Sequence, residues 1–116
     1  MAYVLLMVEK VGDRAARSEG EGQARYDRML HFSTDLKERG LLTLSQSLKT
    51  EAAGVRVTRH GDKTVVRDGP FAEAKEMIGG FFLLTCDARE QAMEIARECP
   101  AAEWATVEVR ELGPCF

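Results

Sequence analysis

The sequence predicts one α+β domain, residues 1–116, with an antiparallel sheet and two helices on one of its faces. Three observations support this fold class. Short apolar runs alternate with two longer stretches of helical periodicity. Residues 55–67 carry the pattern of a tight hairpin. The chain is 45% hydrophobic and 30% charged, which is typical of a single globular domain.

The first half of the chain predicts a strand, a helix and a second strand. Residues 3–8 are a bounded apolar run, as in a strand covered on both faces. From about residue 23 to residue 39 an apolar stripe recurs at helical spacing, and Gly40 is suited to end that helix. Residues 41–48 then predict a short strand. The members of the stripe are Tyr26, Met29, Leu30, Phe32, Ser33 and Leu36.

A β-hairpin is predicted in the middle of the chain. Residues 55–59 and 63–67 are rich in β-branched side chains and flank a Gly-containing turn. Pro70 stops the second arm, because proline cannot donate a hydrogen bond to a strand ladder. Proline also suits the first position of a helix, so we expect one helical turn from Phe71 to Met77.

The last third of the chain predicts strand, helix and strand. Residues 79–86 are apolar on both faces, and Gly79-Gly80 at their start suits a bulge or a close approach of backbones. Residues 88–99 present one apolar helical face, and Pro100 ends it. Residues 104–112 alternate as a final strand, with two valines on one side and charged residues on the other.

These elements arrange as two strand–helix–strand units with right-handed crossovers, which make a ferredoxin-like sheet with an extra hairpin. The strands at 3–8 and 79–86 are apolar on both sides, but the two helices cover only one face of the sheet. Soluble monomers rarely expose such a patch, so we expect a second copy to bury it. The sequence therefore predicts a homodimer joined sheet to sheet or edge to edge.

Charge and cysteine content exclude several classes of protein. The 16 basic and 19 acidic residues are interspersed, with a net charge of −3, so we expect neither nucleic-acid nor membrane binding. The opening apolar run is too short for a signal peptide or a membrane span. Three cysteines are an odd number, which argues for a reducing, cytoplasmic location. We expect Cys86 and Cys99 in the core and Cys115 at the surface.

The sequence shows no metal-ligand spacing and no cofactor-binding motif, so we expect neither a metal nor a cofactor. His31 and Asp35 are four residues apart on the first helix and could orient an imidazole for general-base chemistry. Both lie opposite the apolar stripe, however, as expected of a solvated surface pair. His60 lies at the predicted hairpin tip, where side chains are exposed.

The segment 68–76 is the best candidate for a functional site, because it is a charged loop leaving a rigid sheet. Its carboxylates and ammonium could carry acid–base chemistry if burial separated their pKa values, with Asp68 or Glu73 as the weak catalytic candidates. Turn chemistry is the competing explanation, with Phe71 as a core anchor. The candidate ligand-binding residues of the segment are Asp68, Gly69, Pro70, Phe71, Glu73, Lys75 and Glu76.

Glu108 and Arg110 complete the candidate site. They share one side of the final strand. If that side faces a gap between two sheets, the gap is a charged pocket. If it faces outward, the two residues are an exposed ion pair of little energetic value. One strand does not determine its own orientation, so the sequence leaves both alternatives open.

The motif Asp68-Gly69-Pro70-Phe71-Ala72-Glu73-Ala74-Lys75-Glu76, followed by Gly79-Gly80-Phe81-Phe82, resembles the YCII-related family in its DGPF-domain branch. The opening strand, the end of the first helix and residues 99–110 are similar as well, so the resemblance spans nearly the whole chain. It implies a ferredoxin-like fold assembled as a dimeric α/β barrel, and a bacterial origin. For many members it implies association with extracytoplasmic-function sigma factors.

The resemblance implies no known reaction. Smaller stand-alone members of the family have a His in the first helix that, with a carboxylate partner, has been proposed as an active site. Counted back from the glycine that ends the helix, Met29 occupies that position here. The resemblance therefore does not carry His-based chemistry over to this chain.

Two hypotheses for function follow. The first is a small-molecule site at the dimer's sheet-to-sheet gap, lined by residues 68–76, Glu108 and Arg110. That site either binds its ligand or acts on it by cofactor-free acid–base chemistry, and the sequence does not decide whether the protein is an enzyme. The second is a non-catalytic accessory protein that binds a partner such as an extracytoplasmic-function sigma factor.

Overall fold

The computed structural model describes residues 2–116, which form a four-stranded antiparallel sheet, helices on one face of it, and a separate two-stranded ribbon. Two short 3-10 turns, Glu51–Ala53 and Pro100–Glu103, lie in the connections. The elements in chain order are β1 (Tyr3–Lys10), α1 (Asp13–Ala16), α2 (Glu19–Glu38), β2 (Leu42–Ser47), β3 (Val55–His60), β4 (Lys63–Asp68), β5 (Glu76–Leu84), α3 (Arg89–Glu98) and β6 (Thr106–Glu111).

The sheet has the strand order β2-β5-β1-β6, with every neighbouring pair antiparallel. Two strand–helix–strand units produce this order, which is consistent with the predicted ferredoxin-like fold. The predicted α+β class is therefore confirmed. The four-residue helix α1 is an addition to the two helices expected from the sequence.

The hydrophobic core lies between one face of the sheet and the helices. Alternate residues of β1 point into it, and Leu5 is fully buried opposite Phe82 of β5. Phe32 of α2 packs edge to face on Phe82, with 5.3 Å between the ring centroids. The other buried members are Tyr3, Met7, Leu36, Leu84, Cys86, Ala92, Ile95, Cys99 and Ala101.

Two boundaries differ from the sequence prediction. The first helix begins four residues early, at Glu19, because the Ser18 hydroxyl accepts a hydrogen bond from the Glu21 N–H at 3.1 Å and caps it. The helical turn predicted from Phe71 to Met77 is wrong. A hydrogen bond from the Ala74 N–H to the Phe71 carbonyl closes a non-helical β-turn over residues 71–74, and the chain then pairs with β1 from Glu76 onward.

The three thiols are placed as expected. Cys86 and Cys99 are buried and Cys115 is exposed, and all three are free. Burial raises the pKa of the Cys99 thiol, which makes that sulfur a poor nucleophile. None of the helices formed by residues 2–116 is both long and apolar enough to cross a membrane.

The second face of the sheet, which we name the open face, carries no helix. Val107 and Val109 of β6 pack on the core, so Glu108 and Arg110 point to the open face. These two residues form an ion pair with each other along this edge strand. The apolar side chains of the open face are Val4, Leu6, Val8, Leu44, Ile78, Phe81 and Leu83.

The ribbon of β3 and β4, which we name the hairpin arm, is separate from the main sheet. Gly61 makes its turn with a φ of 65°, in the left-handed region that favours glycine. All twelve strand residues of the arm are exposed. Val55, Val57 and Val66 share one face of the ribbon at exposures of 56%, 60% and 62%.

Candidate functional site

The segment 68–76 forms the base of the hairpin arm. Phe71 is buried, and the Arg56 guanidinium carbon lies 3.9 Å from its ring centroid. Arg67 stacks on the same ring at 5.2 Å. The Glu73 carboxylate pairs with Arg56 at 3.0 Å and also with Arg67. These contacts hold the segment and both strands of the arm together as one cluster.

The surroundings of Glu73 in this cluster are those of an ion-paired carboxylate. A backbone hydrogen bond and the hydrogen bond from Arg67 lower the pKa of the Glu73 carboxyl, which is solvent-exposed. A carboxyl with a lowered pKa is ionised throughout the neutral range. That protonation state suits an ion pair better than a proton donor.

The other predicted site residues are spread out in the single chain. Glu76 and Glu108 line a shallow groove beside Ile78, at the border between the open face and the hairpin arm. Asp68, Lys75 and Arg110 are exposed and do not line that groove. Gly69 and Pro70 form the turn itself. A site shared between two subunits stays a prediction.

The Phe71 cluster predicts how the arm responds to mutation. We expect Phe71→Ala to lower the free energy of unfolding by about 3 kcal/mol, because the arm loses its buried anchor. Amide hydrogen exchange should accelerate across residues 55–68, while β1 and β5 keep their protection. Val57→Ala, at an exposed position of the same arm, should change stability by less than about 0.5 kcal/mol. Unchanged exchange in the arm of Phe71→Ala would contradict this role.

A cavity of about 580 Å³ lies between α2 and the sheet, away from the segment 68–76. Its buried floor comes from Met7, Phe82, Gly79 and Gly80. Its walls include Met29, Ser33, Ser45 and Trp104. Three large apolar side chains are exposed around its opening, namely Tyr26 at 48%, Leu30 at 48% and Leu48 at 43%.

An ion pair forms one end of the cavity. Arg14 of α1 donates two hydrogen bonds to the Glu9 carboxylate, from Nε at 3.0 Å and from Nη2 at 2.6 Å. Arg14 also donates to the carbonyl of Leu48 at 2.7 Å and to that of Gly79 at 3.1 Å. The guanidinium therefore ties α1 to β1, to β5 and to the residue that follows β2, and the bidentate geometry fixes its plane.

Gly79 makes the room for this ion pair. Met7 pairs with Gly80 and Val8 with Ile78, so Gly79 is the extra residue of a β-bulge. A Cβ at Gly79 would lie 1.5 Å from Glu9 Oε2. A Cβ at Gly80 would lie 2.9 Å from the Gln46 carbonyl oxygen. The bulge and close approach expected from the two glycines are confirmed.

Several polar groups of the cavity lining are paired with one another. Glu9 is the one carboxylate among the described residues of the lining, and it is paired with Arg14. The hydroxyls of Ser33 and Ser45 lie 3.0 Å apart and bond to each other. Trp104 is stacked by the guanidinium of Arg25 at 4.9 Å. The lining therefore offers apolar surface, hydroxyls and cations.

Comparison with known proteins gives the family of the chain. The YCII-related domain matches residues 1–115. The chain belongs to the YCII-related family. An uncharacterised protein of Rhizobium meliloti (strain 1021) is 30% identical over 115 residues, covering 97% of this chain and 93% of that protein. In this YCII-related chain, Met29 of α2 lines the cavity.

Sequence reasoning missed this site. It assigned Tyr26 and Leu30 to the buried stripe of the first helix, yet both are half exposed at the cavity opening. The signal in the sequence was Gly79-Gly80, for which a bulge or a close approach of backbones was expected. The groups that fill the space, Glu9 and Arg14, lie about 70 residues earlier in the chain and have no motif of their own.

Proposed function

We propose that this protein binds a small organic molecule in the cavity between α2 and the sheet. The observation that carries the proposal is the exposure of Tyr26, Leu30 and Leu48 around one opening. Large apolar side chains left in water around a concave site are typical of a surface that a ligand covers. The cavity volume is within the range of about 300–1,000 Å³ found for small-molecule sites.

We also propose that two copies pair through their open faces and form the dimeric α/β barrel of the DGPF branch. Seven apolar side chains of three strands support this pairing, because the helices of the same chain lie on the opposite face. Burial of an apolar surface of this kind is the usual driving force for association. The two faces are related by the two-fold symmetry that most homodimers adopt.

Trp104 offers a direct test of the cavity, because it is the only tryptophan of the chain. We expect a library of small aromatic compounds to contain members that shift the indole N–H signal of Trp104 in NMR spectra in a saturable way. Ser33→Leu places a larger side chain inside the cavity and should abolish the shift. Ala24→Leu, on the exposed side of the same helix, should leave it intact.

The outcome also separates the two hypotheses for function. A library without a single saturable shift at Trp104 would contradict the cavity site. A stable complex with a sigma factor, formed equally by Ser33→Leu and the wild type, would then support the accessory-protein alternative.

A further inference from the structure

The lining of the cavity carries more positive than negative charge. Among residues 2–116, one carboxylate, that of Glu9, lines the cavity, against four cations, Arg14, Arg17, Arg25 and Lys49. Arg14 is neutralised by Glu9 at 2.6 Å, and Arg25 by Glu21 at 2.6 Å. The excess positive charge of the lining therefore comes from the other two cationic side chains.

Those two side chains are Arg17 and Lys49. Within residues 2–116 neither forms an ion pair with a carboxylate. Arg17 precedes α2 and is half-buried, with its Nε 3.7 Å from the place of a Cβ at Gly22. Lys49 follows β2, so the fold brings the two cations to the same cavity from separate segments.

The position of these charges selects a class of ligand. A partly buried guanidinium without a counter-ion loses part of its hydration, and an anionic group restores the lost interaction. Guanidinium and ammonium groups bind carboxylates and phosphates through charge-assisted hydrogen bonds. The apolar floor of Met7 and Phe82 and the wall of Trp104 suit an aromatic or aliphatic body.

We infer that the ligand is a small organic anion, with its carboxylate or phosphate held between Arg17 and Lys49 and its apolar body inside the cavity. This inference rests on the proposed function, because it names the ligand class of the same site. Glu9 does not oppose the anion, since Arg14 already compensates its charge. The Ser33 and Ser45 hydroxyls lie on the wall, where they can accept or donate to a polar substituent of the body.

The test compares probes that share one body and differ in charge. We expect 3-phenylpropionate to bind, by the Trp104 signal, at least about tenfold more tightly than its neutral amide, because Arg17 and Lys49 lack counter-ions. The cationic analogue 3-phenylpropylamine should bind more weakly than the amide. 2-Phenylethylphosphonate keeps the phenylethyl body and tests whether the site also binds a phosphorus oxyanion. Affinity for the anion should fall as salt is raised.

Variants assign the effect to the two side chains. Arg17→Gln and Lys49→Gln should each lower the affinity for the anion about fivefold or more and leave the affinity for the amide unchanged. Arg59→Gln and Lys37→Gln remove exposed cations outside the cavity and should change neither affinity.

The possible outcomes separate a failure of the anion inference from a failure of the proposed cavity site. Equal affinity for anion and amide, or an anion affinity unaffected by Arg17→Gln and Lys49→Gln, would overturn the anion inference while the cavity site stands. A series in which no probe shifts Trp104 would overturn the cavity site and the inference with it.

Discussion

Leu83→Glu should convert a dimer of this protein into a folded monomer. Leu83 lies at the centre of the open face, opposite Val4 of β1 and Leu44 of β2. In the single chain its replacement by glutamate faces water and leaves the core on the other side of β5 intact. In a face-to-face dimer the same change buries two unpaired carboxylates, whose desolvation costs several kcal/mol. We therefore expect the dimer dissociation constant to rise at least about 100-fold, as measured by sedimentation equilibrium.

Two further variants complete the test. Ala24→Glu puts the same charge on the exposed side of α2 and should leave the dimer unchanged. Leu44→Lys, on the edge strand of the open face, should also weaken the dimer, and this position tolerates polarity because it is 46% exposed. A wild-type chain that sediments as a monomer at high concentration would refute pairing through the open face.

The sequence predicted most of the sheet because its strands carry strong local signals. β1 and β5 are apolar on both faces, and the turn at Gly61 is flanked by β-branched arms. The prediction failed at residues 71–77, where Pro70 was read as the start of a helical turn. Long-range pairing explains the difference, because Glu76 and Met77 already pair with Lys10 and Glu9 of β1, and this partner lies about 65 residues away. Local propensity does not contain that information.

The candidate site was harder to predict. Helical periodicity shows which side of a helix is apolar, but it does not show how much of that side packs against the rest of the protein. Tyr26 and Leu30 lie at one edge of the broad apolar stripe, and the buried Phe32 lies at its other edge. One edge of this stripe, with Phe32 and Leu36, is buried in the core, and the other edge lies at the cavity opening. Within the segment 68–76, the contacts of Phe71 and Glu73 are those of an anchor for the hairpin arm.

The role of Phe71 as a core anchor was one of the two explanations considered for that segment. The ring is buried under two guanidiniums at the base of the hairpin arm, apart from the core cluster between the sheet and the helices. A functional role of Glu76 and Glu108 needs the groove at the border of the open face to be completed by a second copy. The dimer experiment above is therefore also the first test of a site between subunits.

Gly79→Ala and Gly20→Ala should have opposite effects on stability. At Gly79 the new Cβ would lie 1.5 Å from Glu9 Oε2 and 2.6 Å from Arg14 Nη2. Glu9 is buried and both groups are bound to each other, so the ion pair has to break or shift into the cavity. We expect the free energy of unfolding to fall by about 1–3 kcal/mol, because the pair is only partly buried, with the Arg14 side chain 26% exposed and that of Glu9 11%. At Gly20, in the first turn of α2, a Cβ meets nothing within 4 Å.

Gly20→Ala should therefore raise the free energy of unfolding by about 0.5–1 kcal/mol, because alanine restricts the unfolded chain and favours the helix. Chemical denaturation of both variants measures the difference, and the Trp104 signal reports the cavity. Gly79→Ala should also lose binding of any ligand that shifts Trp104 in the wild type, since Arg14 and Glu9 form one end of the site. Gly20→Ala should retain it. If Gly79→Ala is as stable as the wild type and binds as well, the ion pair does not shape the cavity.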